Sequence, residues 1–123
     1  YDVFNLDDYF SLTKNPRVLL NGDYDVFGDG SVIILSAPGH TPGHQVLLVN
    51  LENEGTIILS GDLYHFEISR SIQAVPIFNT DKEETLSSMK KIEDMVINEN
   101  AQFWIEHSLE LANGLKLSPE FYN

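Results

Sequence analysis

Pro38-Gly39-His40-Thr41-Pro42-Gly43-His44 is the stretch on which the reading of this chain turns. Two histidines four residues apart would share one face of a helix, as in an HExxH zinc helix. The two prolines and two glycines between Pro38 and His44 exclude that. They specify instead a stiff loop whose backbone can approach a neighbour closely. An imidazole on such a loop suits a metal ligand, with the other available to hydrogen-bond it. The same spacing also fits a proline-rich loop whose histidines face solvent.

The flanks read as strands. Ser31 to Ala37 is β-branched and apolar on both faces, the mark of a buried strand, and Gln45 to Asn50 resumes one after the loop. Further out, Asp23 to Phe27 is a short strand followed by the Gly28-Asp29-Gly30 turn. Beyond a polar turn at Glu52 to Gly55, Thr56 to Ser60 forms the next apolar strand and leads into Gly61-Asp62. Residues 63–80 show no period and read as a long loop broken by Pro76. Thr80-Asp81-Lys82-Glu83 fits a capping box with Thr80 as the cap, and Leu86, Met89, Ile92 and Val96 recur at helical spacing after it. Gln102 to Ile105 is a short strand with His107 at its exit. Near the start, Val3, Phe4, Leu6, Tyr9, Phe10 and Leu12 suit a short amphipathic helix ended by Asn15-Pro16. No internal repeat or linker interrupts the 123 residues, so they read as one unit of mixed α/β layers.

Composition narrows the function. Hydrophobic residues at 42% and aromatics at 11% mark a folded chain. The longest apolar runs, Val32 to Leu35 and Val46 to Val49, are far short of the about 20 residues a membrane-spanning helix needs. With 19 acidic against 7 basic residues and a net charge of -12, neither nucleic acid nor an anionic membrane surface is an expected partner. There is no cysteine, so any metal must be held by His, Asp and Glu. The compartment stays open, with the cytoplasm slightly favoured.

Only four histidines occur: His40, His44, His65 and His107. Three of them, with Asp62, fall where a strand runs into a loop, a place that frees a side chain while keeping its support rigid. Each alone has an ordinary explanation. Asp62 can cap a loop by accepting backbone N–H bonds, and His107 can be a half-buried imidazole donating to a carbonyl. Together they offer the donor types of a zinc-like site.

In this arrangement the chain resembles the metallo-β-lactamase-fold hydrolases. The resemblance rests on Pro38 to His44, on Ser60-Gly61-Asp62 and on Ile105-Glu106-His107. Gly61 to Phe66, Val75 to Asp81 and Trp104 to His107 are most similar to the N-acyl-homoserine lactonase branch. The resemblance covers roughly residues 20–109, with Ala37 where that loop often begins with Thr. It implies an αββα sandwich of which residues 1–123 are the C-terminal part of a single domain, an expectation matched by a first residue, Tyr1, that is not Met.

It also implies a site with two divalent cations, zinc foremost, with iron, manganese or cobalt possible. His40 and His107 would each ligate one of them, and Asp62 would bridge both. His44 and His65 would support these ligands without binding metal. Tyr64 joins Asp62 as a catalytic candidate, because related lactonases carry a substrate-contacting Tyr near this place, three residues after the bridging Asp, where this chain has His65. The family's remaining ligands sit in an HxHxDH motif that this chain lacks. The implied reaction is the opening of a small-molecule lactone or ester by hydroxide formed between the cations. Another hydrolase of the same fold, a glyoxalase II-type thioesterase or a phosphodiesterase, is the competing reading. For these 123 residues by themselves, a non-catalytic cation-binding module is a third.

Overall fold

The computed structural model describes residues 10–123. Most of the amphipathic helix expected near the start lies outside them; Phe10–Lys14 forms a short 3-10 turn. Five strands build one sheet in the order of the sequence: β1 (Tyr24–Asp25), β2 (Val32–Ser36), β3 (Gln45–Leu51), β4 (Gly55–Leu59) and β5 (Gln102–Trp104). The first four form an antiparallel meander. A crossover through α1 (Glu67–Ser71) and α2 (Lys82–Asn98) then lays β5 parallel to β4. A last short helix, α3 (Leu109–Gly114), follows β5.

Register sorts the side chains. Leu35 opposite Val46, and Ile33 opposite Leu48 opposite Ile58 opposite Phe103, point to one face. There Leu35, Val46, Leu48 and Ile58 are buried together with Met89 and Ile92 of α2. Each such side chain contributes about 1.5–3 kcal/mol through burial. The opposite face carries Ile34, Leu47, Leu59 and Trp104. It is only half covered, with Tyr122 packed edge-on against Trp104 at 5.0 Å. The sequence reads Ser31 to Ala37 as a buried strand; of this run Leu35 and Ala37 are buried and the others half-buried.

Two details depart from the sequence reading. The cap of α2 is Asp81, whose Oδ1 accepts the Glu84 N–H at 2.9 Å. Thr80 is displaced from that role because its hydroxyl donates to the His40 carbonyl at 3.1 Å. The expected loop 63–80 contains α1, and Arg70 within it makes a bidentate ion pair with Glu93 of α2 at 2.8 Å for each bond.

Direction is what positions the site. β2, β4 and β5 all run the same way, since β3 is antiparallel to both β2 and β4. Their C-terminal ends therefore lie along one edge of the sheet, where open α/β sheets present ligands. His40 follows β2, Asp62 follows β4 and His107 follows β5.

Candidate metal centre

The loop bearing His40 is clamped to the start of α2. Asp81 N–H donates to the Gly39 carbonyl at 2.9 Å and Thr80 N–H to the His40 carbonyl at 3.1 Å. Ser88 Oγ donates to the Pro38 carbonyl at 2.7 Å. This approach requires Gly39, which has φ +129°; a Cβ there would meet the Thr85 backbone nitrogen at 2.3 Å. The His40 ring is held at Nδ1 by Asn79 Oδ1, 3.1 Å away.

Asp62 leaves β4 through Ser60 and Gly61. Leu59 pairs with Trp104, and Ser60 N–H donates to the Trp104 carbonyl at 2.9 Å, so the exits of β4 and β5 run side by side. Asp62 and His107, each three residues beyond a paired position, are thereby brought together.

His44 uses both ring nitrogens on backbone. Nδ1 lies 2.9 Å from the Ala37 carbonyl, which only accepts. Nε2 lies 3.0 Å from the Asp62 N–H, which only donates. The ring is therefore neutral with its proton on Nδ1. Burial pushes its pKa below the ordinary value, against the pull of the Ala37 carbonyl. With both ring nitrogens so engaged, His44 fixes the backbone from which Asp62 projects.

Three imidazoles surround the Asp62 carboxylate. His107 Nε2 lies 2.7 Å from Oδ1, His40 Nε2 3.5 Å from Oδ2 and His65 Nε2 3.7 Å from Oδ1. His65 stacks on His107 with centroids 4.9 Å apart and planes 7° from parallel. Phe78 closes one side, edge-on to His40 at 6.1 Å and to His65 at 5.6 Å. Partial burial raises the Asp62 pKa, but the His107 hydrogen bond and the charges of His40 and His107 outweigh it and hold the carboxyl below its usual range. Donor atoms of Asp62, His65 and His107 lie within 4.8 Å of one another. A carboxylate and imidazole nitrogens converging at this spacing fit a divalent cation of the zinc type.

The same structure separates Tyr64 from this cluster. The tight turn at Gly61–Leu63 puts Asp62 and His65, three residues apart, on one side, and sends Leu63 and Tyr64 into the core. The Tyr64 ring packs edge-on against Phe103 at 5.8 Å. Its hydroxyl is buried without a hydrogen bond, and burial with the nearby Glu93 charge pushes its pKa up. The expectation that Tyr64 contacts substrate is corrected on this ground. His65 stands at the cluster edge instead, and its separation of three from Asp62 is the signal that marks it. Its Nδ1 is buried without a partner, so it lacks the hold that Asn79 gives His40.

No family model matches the chain. An N-acyl homoserine lactonase of Bacillus sp is 35% identical over 103 residues, 84% of this chain and 40% of the relative. The N-acyl homoserine lactonase AttM of Azorhizobium caulinodans is 32% identical over 108 residues, 85% of this chain and 41% of its own length. The chain thus spans about 40% of the length of the curated relatives it matches. Among solved structures, an N-acyl homoserine lactone hydrolase with the product N-hexanoyl-L-homoserine bound at its catalytic metal centre superposes with a TM-score of 0.74 at 32% identity. It is matched over 85% of this chain and 40% of its own. A probable metal-dependent hydrolase from Staphylococcus aureus, at 11% identity and a TM-score of 0.60, shares the fold.

Proposed function

This chain is a relative of the N-acyl homoserine lactonases with their metallo-β-lactamase-type fold, and from that premise we propose that it carries part of the metal centre of a lactone-opening hydrolase. The observation that carries the reading is the Asp62 carboxylate ringed by the Nε2 atoms of His40, His65 and His107, drawn from three separate strand exits. His40, Asp62 and His107 would hold the cations, with the Asp62 carboxylate as the ligand they would share.

A divalent cation held there supplies Lewis acidity, polarising an ester carbonyl and making water a nucleophile near neutral pH. The chain's own groups do the rest. His44 keeps the Asp62 backbone in place, and the Asp62 carboxylate would relay a proton toward the departing alkoxide. Phe66, Ile68 and Phe78, all exposed, offer apolar surface for an acyl chain. Three ligand residues cannot complete two four-coordinate ions. We therefore assign the remaining ligands to an HxHxDH motif in sequence preceding this region, with both parts forming one domain, and zinc as the metal.

The substrate is a small N-acyl-homoserine-lactone-like ring. Ring opening releases acid, so the test is pH-stat titration of the full-length protein loaded with zinc. Turnover of a lactone, lost on chelation and restored by metal, is the expected result. Turnover confined to a thioester or a phosphodiester contradicts it.

A further inference from the structure

We propose that Asn79 is a positioning residue that fixes the tautomer of His40. The argument rests on the metal-centre reading above and starts from a carbonyl. Asp81 O only accepts, so the Thr85 hydroxyl, 2.6 Å away, donates to it. That leaves Thr85 Oγ1 only lone pairs for its other partner, the Asn79 side chain at 3.1 Å. Asn79 must meet it with its NH2 group, and the amide is thereby oriented with Oδ1 toward His40. Oδ1 accepts from His40 Nδ1 at 3.1 Å. His40 therefore carries a proton on Nδ1, which leaves Nε2, 3.5 Å from Asp62 Oδ2, as the nitrogen available to a cation.

The chain of donors is anchored in the first turn of α2. Thr85 is 1% exposed, and its own N–H donates to the same Asp81 carbonyl at 3.1 Å. Just ahead of that turn, Thr80 N–H holds the His40 carbonyl and Asp81 N–H the Gly39 carbonyl. Both the placement and the protonation of His40 thus come from one helix end, while His65 has no comparable partner at Nδ1. A hydrogen bond that selects the ligating nitrogen of a His is worth about 10- to 100-fold in metal affinity.

The experiment is a long-range 1H–15N correlation spectrum of the metal-free, 15N-labelled full-length protein, with Zn2+ affinity measured by chelator competition. Wild type is expected to show His40 protonated at Nδ1. Asn79→Leu, similar in volume but without an acceptor, should move His40 toward the Nε2–H form and weaken Zn2+ about 10- to 100-fold. Asn79→Asp keeps an acceptor and should restore both. Should Asn79→Leu fail to fold, Thr85→Val frees the amide to turn and should shift the tautomer in the same direction. Nε2–H in wild type, or a variant that only melts earlier with tautomer and affinity unchanged, overturns the proposal. Wild type with the expected tautomer but no Zn2+ binding instead overturns the metal-centre reading.

Discussion

Asp62 Oδ1 and His107 Nε2 lie 2.7 Å apart across 45 residues of chain. The carboxylate only accepts, so in this arrangement His107 Nε2 is the donor and carries a proton. To ligate through that nitrogen, His107 must carry its proton on Nδ1 instead, so zinc binding is expected to change the His107 tautomer, read from its ring nitrogens in a long-range 1H–15N correlation spectrum of the labelled full-length protein. A His107 Nε2–H signal that persists in the zinc-loaded protein contradicts this.

The glycine at the His40 turn should be irreplaceable. Gly39→Ala must adopt φ +129° and place a Cβ 2.3 Å from the Thr85 nitrogen. Strain of that kind costs roughly 1–3 kcal/mol before any overlap is counted. Gly43 has nothing within 4 Å of an added Cβ, so Gly43→Ala is expected to stay within about 0.5 kcal/mol of wild type. Chemical denaturation of the two variants gives the comparison, and equal effects would show that the clamp on α2 is not what holds the loop.

Capping distinguishes adjacent residues. Asp81→Ala removes the side chain that accepts from Glu84 N–H and should cost about 1 kcal/mol. Thr80→Val leaves the cap intact and loosens only the bond to the His40 carbonyl. It should lower Zn2+ affinity more than it lowers the melting temperature.

Much of this was readable from residue order. The strands around Pro38 to His44 announce themselves through β-branched runs, and His40, Asp62 and His107 share one sheet edge because each follows a strand of the same direction. What stayed hidden depends on turns rather than on hydrophobic period. Thr80 and Asp81 are both good caps, and only the contact with the His40 carbonyl decides between them. Tyr64 and His65 are neighbours, and only the tight turn at Gly61–Leu63 settles which of them returns to Asp62. α1 and α3, with 5 and 6 residues, are too short to show a helical repeat. Asn79 carries no pattern at all; its part comes from the direction of three hydrogen bonds.

Away from the site, Arg70 and Glu93 set a pH limit on stability. The Arg70 hydrogen bond holds the Glu93 carboxyl below its ordinary value, against partial burial. A carboxyl depressed in the folded state stabilises above its unfolded pKa, and that contribution is lost as pH falls through the folded one. Urea midpoints should therefore drop as pH falls below about 4.3. Glu93→Gln should flatten that part of the profile and cost roughly 1–2 kcal/mol at pH 7, allowing for the pair's partial exposure. An unchanged profile would mean the pair contributes nothing there.

The most direct test of the metal centre is the position of the ions in zinc-loaded full-length protein, found by anomalous diffraction at the zinc edge. The account predicts density bounded by His40 Nε2, the Asp62 carboxylate and His107 Nε2, absent in Asp62→Asn. Zinc bound elsewhere with these three side chains unliganded, or no bound zinc at all, would contradict it.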